Sequence, residues 1–424
     1  MKKIIILTGV NPYKGSGAVV LDLHKSFIMS GCQSHIISNT FSYKVDENII
    51  FLKSFFQSQF VRVKNRILSF FDSKKDAKYS MIDLDLSTRK LSYRKVVDKF
   101  PFKPDYIIYL FEHNFLTEED LYHIGEITKA PIYHYMADLG PMTGGCHYFW
   151  DCEGYINKCG NCPGIYSNKE NDITHHNLMF RKKYVDKTNI FAIAGSSWQH
   201  KKLLQSYVYK DKPKHKILAP IDENLFTSID KLSARKSLGL PINKNIIYSG
   251  SVLLTKKRKG FREFVKSLNY LYEKNSTAFN DTIHVVYSGN IPKDFINDIP
   301  FSNTILPYID YKELVMVYNA IDIFACSSLQ EAGPTMINQS MMCGTPVVSF
   351  RMGVALDLID EGVTGYLADI LDIKAFAKGI QSYFLLSEKD KDKMSINCKN
   401  LALSRSSLSS CSKNFIELFK NYTL

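Results

Sequence analysis

The stretch Asp322-Ile-Phe-Ala-Cys326-Ser-Ser-Leu-Gln-Glu331-Ala-Gly333-Pro334-Thr335, continued by Met336-Ile-Asn338-Gln339-Ser340-Met-Met-Cys343-Gly344-Thr-Pro346-Val-Val-Ser-Phe350, decides how the chain is read. Ile323 to Ala325 is a short apolar run that suits a buried strand. Ser327 to Gly333 is polar and loop-like. Pro334 fits the first turn of a helix, where no N–H is needed. The helix runs to about Met342 and stops at Gly344, with Pro346 just beyond. Val347 to Phe350 is a second strand. A strand–helix–strand unit of this kind predicts a parallel sheet with right-handed crossovers. Glu331 falls just before the helix N-terminus, where unpaired N–H groups and a partial positive charge suit a phosphate. Beside that phosphate it can accept hydrogen bonds from sugar hydroxyls. Gln339 follows two helical turns later on nearly the same face. Taken alone, Glu331 would be a solvated loop acid.

The 424 residues suffice for two or three domains with full cores. Apolar content of 45% and charged content of 23% are those of an ordinary globular protein. No apolar run reaches the roughly 18 residues of a spanning helix. Lys2-Lys3 before Ile4 to Thr8 has the start of a signal peptide, but the apolar run is too short and no cleavage site follows. A buried first strand is the better reading, and a cytoplasmic chain the expectation. Nine cysteines is an odd number, and Cys32, Cys326, Cys343, Cys398 and Cys411 are scattered like small core residues. The net charge is +12, and residues 53–100 carry 12 Lys and Arg against 5 Asp. This points to an anionic partner surface. Within that region, residues 55–71 interleave aromatics and bases at helical spacing. They suit either contact with anionic lipid or an ordinary core-facing helix with a basic outer face.

Ile4 to Thr8 leads through Gly15-Ser16-Gly17 into a helix, so backbone can approach a ligand closely there. Val20 stands where a dinucleotide fingerprint needs its third glycine, and the second strand ends Ser38-Asn39 without an acid, which argues against a nicotinamide or flavin site. Ile190 to Ala194 reads as the last strand of the first domain, and the Lys-rich 209–216 stretch with Pro213 as a hinge. The cluster Lys256-Lys-Arg258-Lys259-Gly260 can clamp a diphosphate or form a solvated basic turn. Cys146, Cys152, Cys159 and Cys162 have the spacing C-x5-C-x6-C-x2-C. Four thiolates so close suit a closed structural zinc site, with His147 able to replace one ligand. A loop packed on itself, or two reversible disulfides, fits the same spacing.

Glu331 and Gln339, with Cys343-Gly344-Thr345-Pro346-Val347-Val348, resemble the donor signature of retaining glycosyltransferases of family 4, whose pattern is Glu, seven residues, Glu. Thr143-Gly144-Gly145-Cys146-His147-Tyr148 and Cys159-Gly160-Asn161-Cys162-Pro163 resemble a bacterial colanic-acid and exopolysaccharide subgroup of that family. The resemblance implies an α/β GT-B fold of two Rossmann-like domains facing a cleft. Residues 1–212 would be the acceptor-side domain with a Cys-rich insert at 143–163, and 213–405 the donor-binding domain. Residues 406–424 would form a terminal helix returning to the first domain. It further implies transfer from a nucleotide-sugar donor, with retained configuration and no catalytic metal, to a lipid-linked or oligosaccharide acceptor of surface polysaccharide or O-antigen. Such a protein would work at the inner face of the cell membrane. Glu331 and Asp138 would be catalytic. Lys259, Arg258, Gly333, Pro334, Thr335 and Gln339 would hold the donor, and Gly15, Ser16 and Gly17 would form the cleft loop. Two positions depart from the pattern: Ala137 stands where the subgroup has His, and Gln339 where it has Glu. A catalytically weakened GT-B partner protein, binding a sugar nucleotide or another transferase, is therefore the alternative. A nucleic-acid-binding reading finds no motif.

Overall fold

The computed structural model of the chain describes residues 1–54, 57, 76–81, 86, 91–254, 256–290 and 297–422. The 55–71 stretch lies outside them apart from Gln57, as does much of the basic region 53–100. The chain divides into two compact units, Met1–Leu218 with Cys411–Leu424, and Ala219–Ser410.

The first unit is built on a parallel sheet of β1 (Lys3–Thr8), β2 (Gln33–Ser38), β3 (Ile49–Phe51), β4 (Tyr106–Leu110), β5 (Ile132–Met136), β6 (Ile190–Ala194) and β7 (Lys214–Lys216). Its order is β3-β2-β1-β4-β5-β6-β7. Ile4 to Leu7 are wholly buried, and β4, β5 and β6 are buried along their full length. Continuous apolar strands of this kind belong to a parallel sheet covered by helices on both faces. Three of the covering helices start on side-chain caps. Thr117 and Asp120 form a reciprocal capping box at helix Glu118–Thr128, Asp172 accepts from the N–H groups of Thr174 and His175, and Ser196 from that of Gln199.

The last helix, Leu408–Asn421, completes this unit's core. Phe415 and Phe419 are wholly buried, and Phe419 stacks on Tyr106 with ring centroids 3.9 Å apart. Phe415 meets Phe27 edge-on at 5.3 Å.

The Lys-rich stretch expected to be a hinge is instead the edge strand β7, so β6 is not the last strand. Ala192, Ile193 and Ala194 of β6 pair with Lys214, His215 and Lys216. Pro213, which has no N–H, enters the ladder through its carbonyl, accepting from Ala192 N–H at 3.0 Å. Lysines on an exposed edge discourage pairing with other chains, which gives a strand the composition of a linker. The first unit accordingly runs to Leu218 and not to 212. The second runs to Ser410 and not to 405, because Ile221 bridges Ser407 and the Glu223 carboxylate accepts from Leu408 N–H at 2.9 Å.

The second unit has a parallel sheet of β8 (Asn245–Leu253), β9 (Ile283–Asn290), β10 (Ser302–Leu306), β11 (Ile323–Cys326), β12 (Val347–Phe350) and β13 (Gly365–Ala368). Its order is β10-β9-β8-β11-β12-β13. In both sheets the chain winds outward one way, returns to the centre and winds the other way. The reversal lies between β1 and β4 in the first sheet and between β8 and β11 in the second. Loops at the carboxyl ends of those strands diverge to opposite faces and leave a crevice, the usual ligand position in open α/β sheets. Among the described residues no helix is long and apolar enough to cross a membrane.

Truncating Phe415 to Ala removes a buried ring from a tightly packed cluster. The expected loss is about 3–5 kcal/mol of unfolding free energy. Leu385→Ala, at a position 68% exposed, should stay within about 0.5 kcal/mol. Urea titration of the two variants checks both values.

Candidate functional site

At the reversal point of the second sheet two loops are laced together. One follows β8 and contains the 3-10 turn Lys257–Lys259 and Gly260; the other follows β11 and contains Ser327 to Pro334. The Arg258 carbonyl accepts from Leu329 N–H at 2.7 Å, and the Ser327 hydroxyl donates to the Lys259 carbonyl at 3.0 Å. Gly260 has φ +62°, and a Cβ on it would sit 1.9 Å from the Ser327 carbonyl oxygen. Only glycine permits that approach, so the Lys-Gly pair is a packing requirement as well as a sequence signature.

The lacing brings Arg258 and Lys259 onto one carboxylate. Both donate to Oε1 of Glu331. Glu331 is only 8% exposed. Burial alone would raise its pKa, but Lys259 and then Arg258, through charge and hydrogen bonds, hold it below the ordinary carboxylate value. The helix Thr335–Met342 begins four residues later, with Gly333 and Pro334 leading into it. Two cations and a carboxylate therefore meet at the reversal point, just before the N-terminus of helix Thr335–Met342. Gln339 does not face that group with a free amide oxygen: it is buried, and its Oε1 accepts from the Tyr318 hydroxyl at 3.1 Å.

In the first unit the carboxyl ends of β4 and β5 carry a second polar group. Asp138 receives Nδ1 of His147 at 2.7 Å and the Gly140 N–H at 2.7 Å. Its backbone is fixed by Gln199, whose amide donates to the Asp138 and Met136 carbonyls. Burial would raise the Asp138 pKa, but His147, the Gly140 N–H and Arg181 together lower it, so the carboxylate is charged. Glu112 stands beside them: a Cβ on Gly140 would lie 3.6 Å from Glu112 Oε1 and 3.7 Å from His147 Nε2. Arg181 binds Glu112 in a two-point clamp at 2.7 and 3.0 Å and also donates to Glu118. His134 is a core residue. It is 1% exposed, its Nδ1 lies 2.7 Å from the Tyr209 hydroxyl, and burial pushes its pKa down to about 4. Gly15 to Gly17 form a 3-10 turn in the loop that follows β1, directly before helix Ala18–Met29.

Cys146, Cys152, Cys159 and Cys162 are free thiols that line one small cavity. Among the described residues no group of three or more His, Cys, Asp or Glu side chains stands ready as a metal cage. His147, considered as a substitute ligand, is committed to Asp138. Glu112 and Arg181 were not singled out from the sequence. The one local signal was a charged pair, Glu112-His113, straight after an apolar strand.

Comparison with known proteins places these features. Residues 230–400, which hold Arg258, Lys259 and Glu331, match the family model of glycosyl transferases group 1. A D-inositol 3-phosphate glycosyltransferase of Corynebacterium urealyticum is 26% identical over 201 residues, 45% of this chain and 46% of that enzyme. Spore coat protein SA of Bacillus subtilis is 26% identical over 172 residues, 37% of this chain and 43% of that protein. The match thus spans less than half the length of these relatives. Among solved structures, sucrose-phosphate synthase of Thermosynechococcus elongatus superposes with TM-score 0.67 at 14% identity over 99% of both chains. Anabaena HepE, in complex with UDP and glucose, gives TM-score 0.63 at 16% identity over 99% of this chain and all of its own. The architecture is therefore GT-B: two Rossmann-like α/β domains.

The Arg181 clamp generates a stability prediction. Arg181→Met leaves Glu112 and Glu118 without their cation and should cost about 3–5 kcal/mol, whereas the triple variant with Glu112→Gln and Glu118→Gln should recover most of that loss. Chemical denaturation of the two variants measures the difference.

Proposed function

We propose that the protein is a retaining glycosyltransferase that moves a sugar from a nucleotide-sugar donor to a lipid-linked or oligosaccharide acceptor of surface polysaccharide or O-antigen. The observation that carries this reading is the convergence of Arg258, Lys259 and Glu331 at the reversal point of the second sheet, within the stretch that matches the family model. In transfer, a bond forms between an acceptor hydroxyl oxygen and the anomeric carbon, the bond from that carbon to the diphosphate breaks, and the hydroxyl proton passes to the departing diphosphate. The electron pair leaves with the diphosphate, so the site must stabilise negative charge there. Arg258 and Lys259 supply two positive charges, and the start of helix Thr335–Met342 a partial one.

Glu331 keeps the two cations together. A diphosphate would compete for them, and the freed carboxylate would then accept from donor-sugar hydroxyls. Glu331 thus has two successive partners, which explains why an acid belongs in a site for an anion. Asp138, oriented by His147, and the Gly15–Gly17 turn would serve the acceptor side. The acceptor would be met at the cytoplasmic face of the membrane, with the basic region 53–100 toward anionic lipid.

A second reading is favoured by Gln339, whose amide oxygen is engaged by Tyr318, and by Ala137. It is a sugar-nucleotide-binding partner protein without turnover.

The test is nucleotide release from a panel of UDP-, GDP- and ADP-sugars with membrane lipid extract, beside calorimetric binding of the free nucleotide diphosphates. Release from one donor is expected. Lys259→Ala should weaken nucleotide-diphosphate binding about tenfold to a hundredfold, the loss of one charge-assisted hydrogen bond. Glu331→Gln should bind the nucleotide diphosphate as tightly or tighter, because the internal competitor is gone, while turnover falls about a hundredfold. Binding without release from any donor would support the partner protein. Neither binding nor release would overturn both readings.

A further inference from the structure

We infer that Cys146, Cys152, Cys159 and Cys162 form a closed zinc site that braces the 143–172 loop. The four sulfurs, brought together from 17 residues of chain, line a single cavity of about 20 Å³. That is room for one atom-sized guest. The remaining lining is mainly glycine and apolar side chains, including Met81, Phe149 and Pro163. Of the hydroxyl-bearing side chains in the lining, Thr143 donates to the Gly140 and Cys146 carbonyls, Thr174 to Asp172 and Tyr155 to Gln205. A water would want two to four polar partners. A soft divalent cation wants sulfur.

Backbone donors are aimed at the sulfurs. The Gly154 N–H lies 3.4 Å from Cys152 Sγ. Gly144 N–H is directed at Cys159, and the Gly164 and Ile165 N–H groups at Cys162. A neutral thiol is a weak acceptor, whereas a metal-bound thiolate carries charge that such donors stabilise. A Cβ on Gly154 would lie 3.3 Å from Cys159 Sγ and 3.4 Å from Cys152 Sγ, so these two sulfurs close on the same small space.

The loop also needs a brace. Lys158, Cys159, Gly160 and Asn161 have consecutive φ values of 72°, 54°, 95° and 45°. Each non-glycine residue there is strained and persists only if its surroundings enforce it. Between Thr143 and Asp172 the only regular element is the 3-10 turn Pro163–Ile165. Little backbone ladder is present to offset the cost. The thiols as they stand are not gathered into a cage, so the proposal requires their side chains to turn toward the ion. Four sulfur ligands leave no open position, so the metal is structural. Its effect would reach the polar group through His147, which follows Cys146 directly and holds Asp138.

The experiment is independent of any transferase activity. Full-length protein purified under reducing conditions should carry about one zinc per chain by plasma mass spectrometry. Cys159→Ser/Cys162→Ser should lose it, whereas Cys32→Ala, at a distant core cysteine, should keep it. In case the double variant misfolds, cobalt(II) replacing zinc in the wild-type chain should give the strong thiolate-to-cobalt absorption and visible bands of a tetrahedral sulfur site. Wild-type protein without stoichiometric metal and without those cobalt bands would overturn the proposal. So would intact-mass evidence of two disulfides among the four cysteines in freshly isolated protein.

Discussion

A buried carboxylate must have charged partners, and in the second unit this requirement organises the crevice around Glu331. Removing a carboxylate from water costs several kcal/mol unless cations and hydrogen bonds replace the solvent. Arg258 and Lys259 do so, and they can reach Glu331 only because the β8 and β11 loops are tied backbone to backbone. That tie depends on Gly260, which lets the two loops touch, and on the sheet order, which makes β8 and β11 neighbours. The ion cluster is therefore a consequence of topology. The same arrangement stores a local excess of positive charge, which the proposed reading assigns to a diphosphate leaving group.

The first unit solves a similar problem differently. Its polar group is larger, and its members meet within the unit: Arg181 faces Glu112 and Glu118, with burial pushing the Glu118 pKa up to about 7, and His147 faces Asp138. All of it rests on strands wholly buried between helices, and on a last helix that returns to fill the aromatic cluster around Phe27, Tyr106 and Tyr133. A rigid floor of this kind lets short loops hold charged side chains at fixed separations. The loop from Thr143 to Asp172, whose one regular element is a 3-10 turn, is the one in which the four cysteines gather.

Much of this was legible in the sequence where the signal is local. The 322–350 stretch announces a strand, loop, helix and strand because apolar runs, Pro334, Gly344 and Pro346 fall at the positions where such elements start and stop. Pairings across long separations were not legible. Arg181 meets residues 63 and 69 positions away, which no periodicity reveals. Strand β7 was missed because an edge strand of lysines and a proline has the composition of a linker. Gln339 was placed on the right helix, but a helix shows more than one face, and sequence spacing did not reveal that Tyr318 would bind its oxygen.

The central claim is that the crevice between β8 and β11 holds the diphosphate of a nucleotide. Hydrogen–deuterium exchange with and without a saturating nucleoside diphosphate tests it most directly, since it reports where the ligand acts whether or not the sugar is known. The account predicts slowed exchange confined to two peptides, one covering 256–262 and the other 327–337. Protection elsewhere with none in those two peptides, or no change with any of UDP, GDP and ADP, would contradict it.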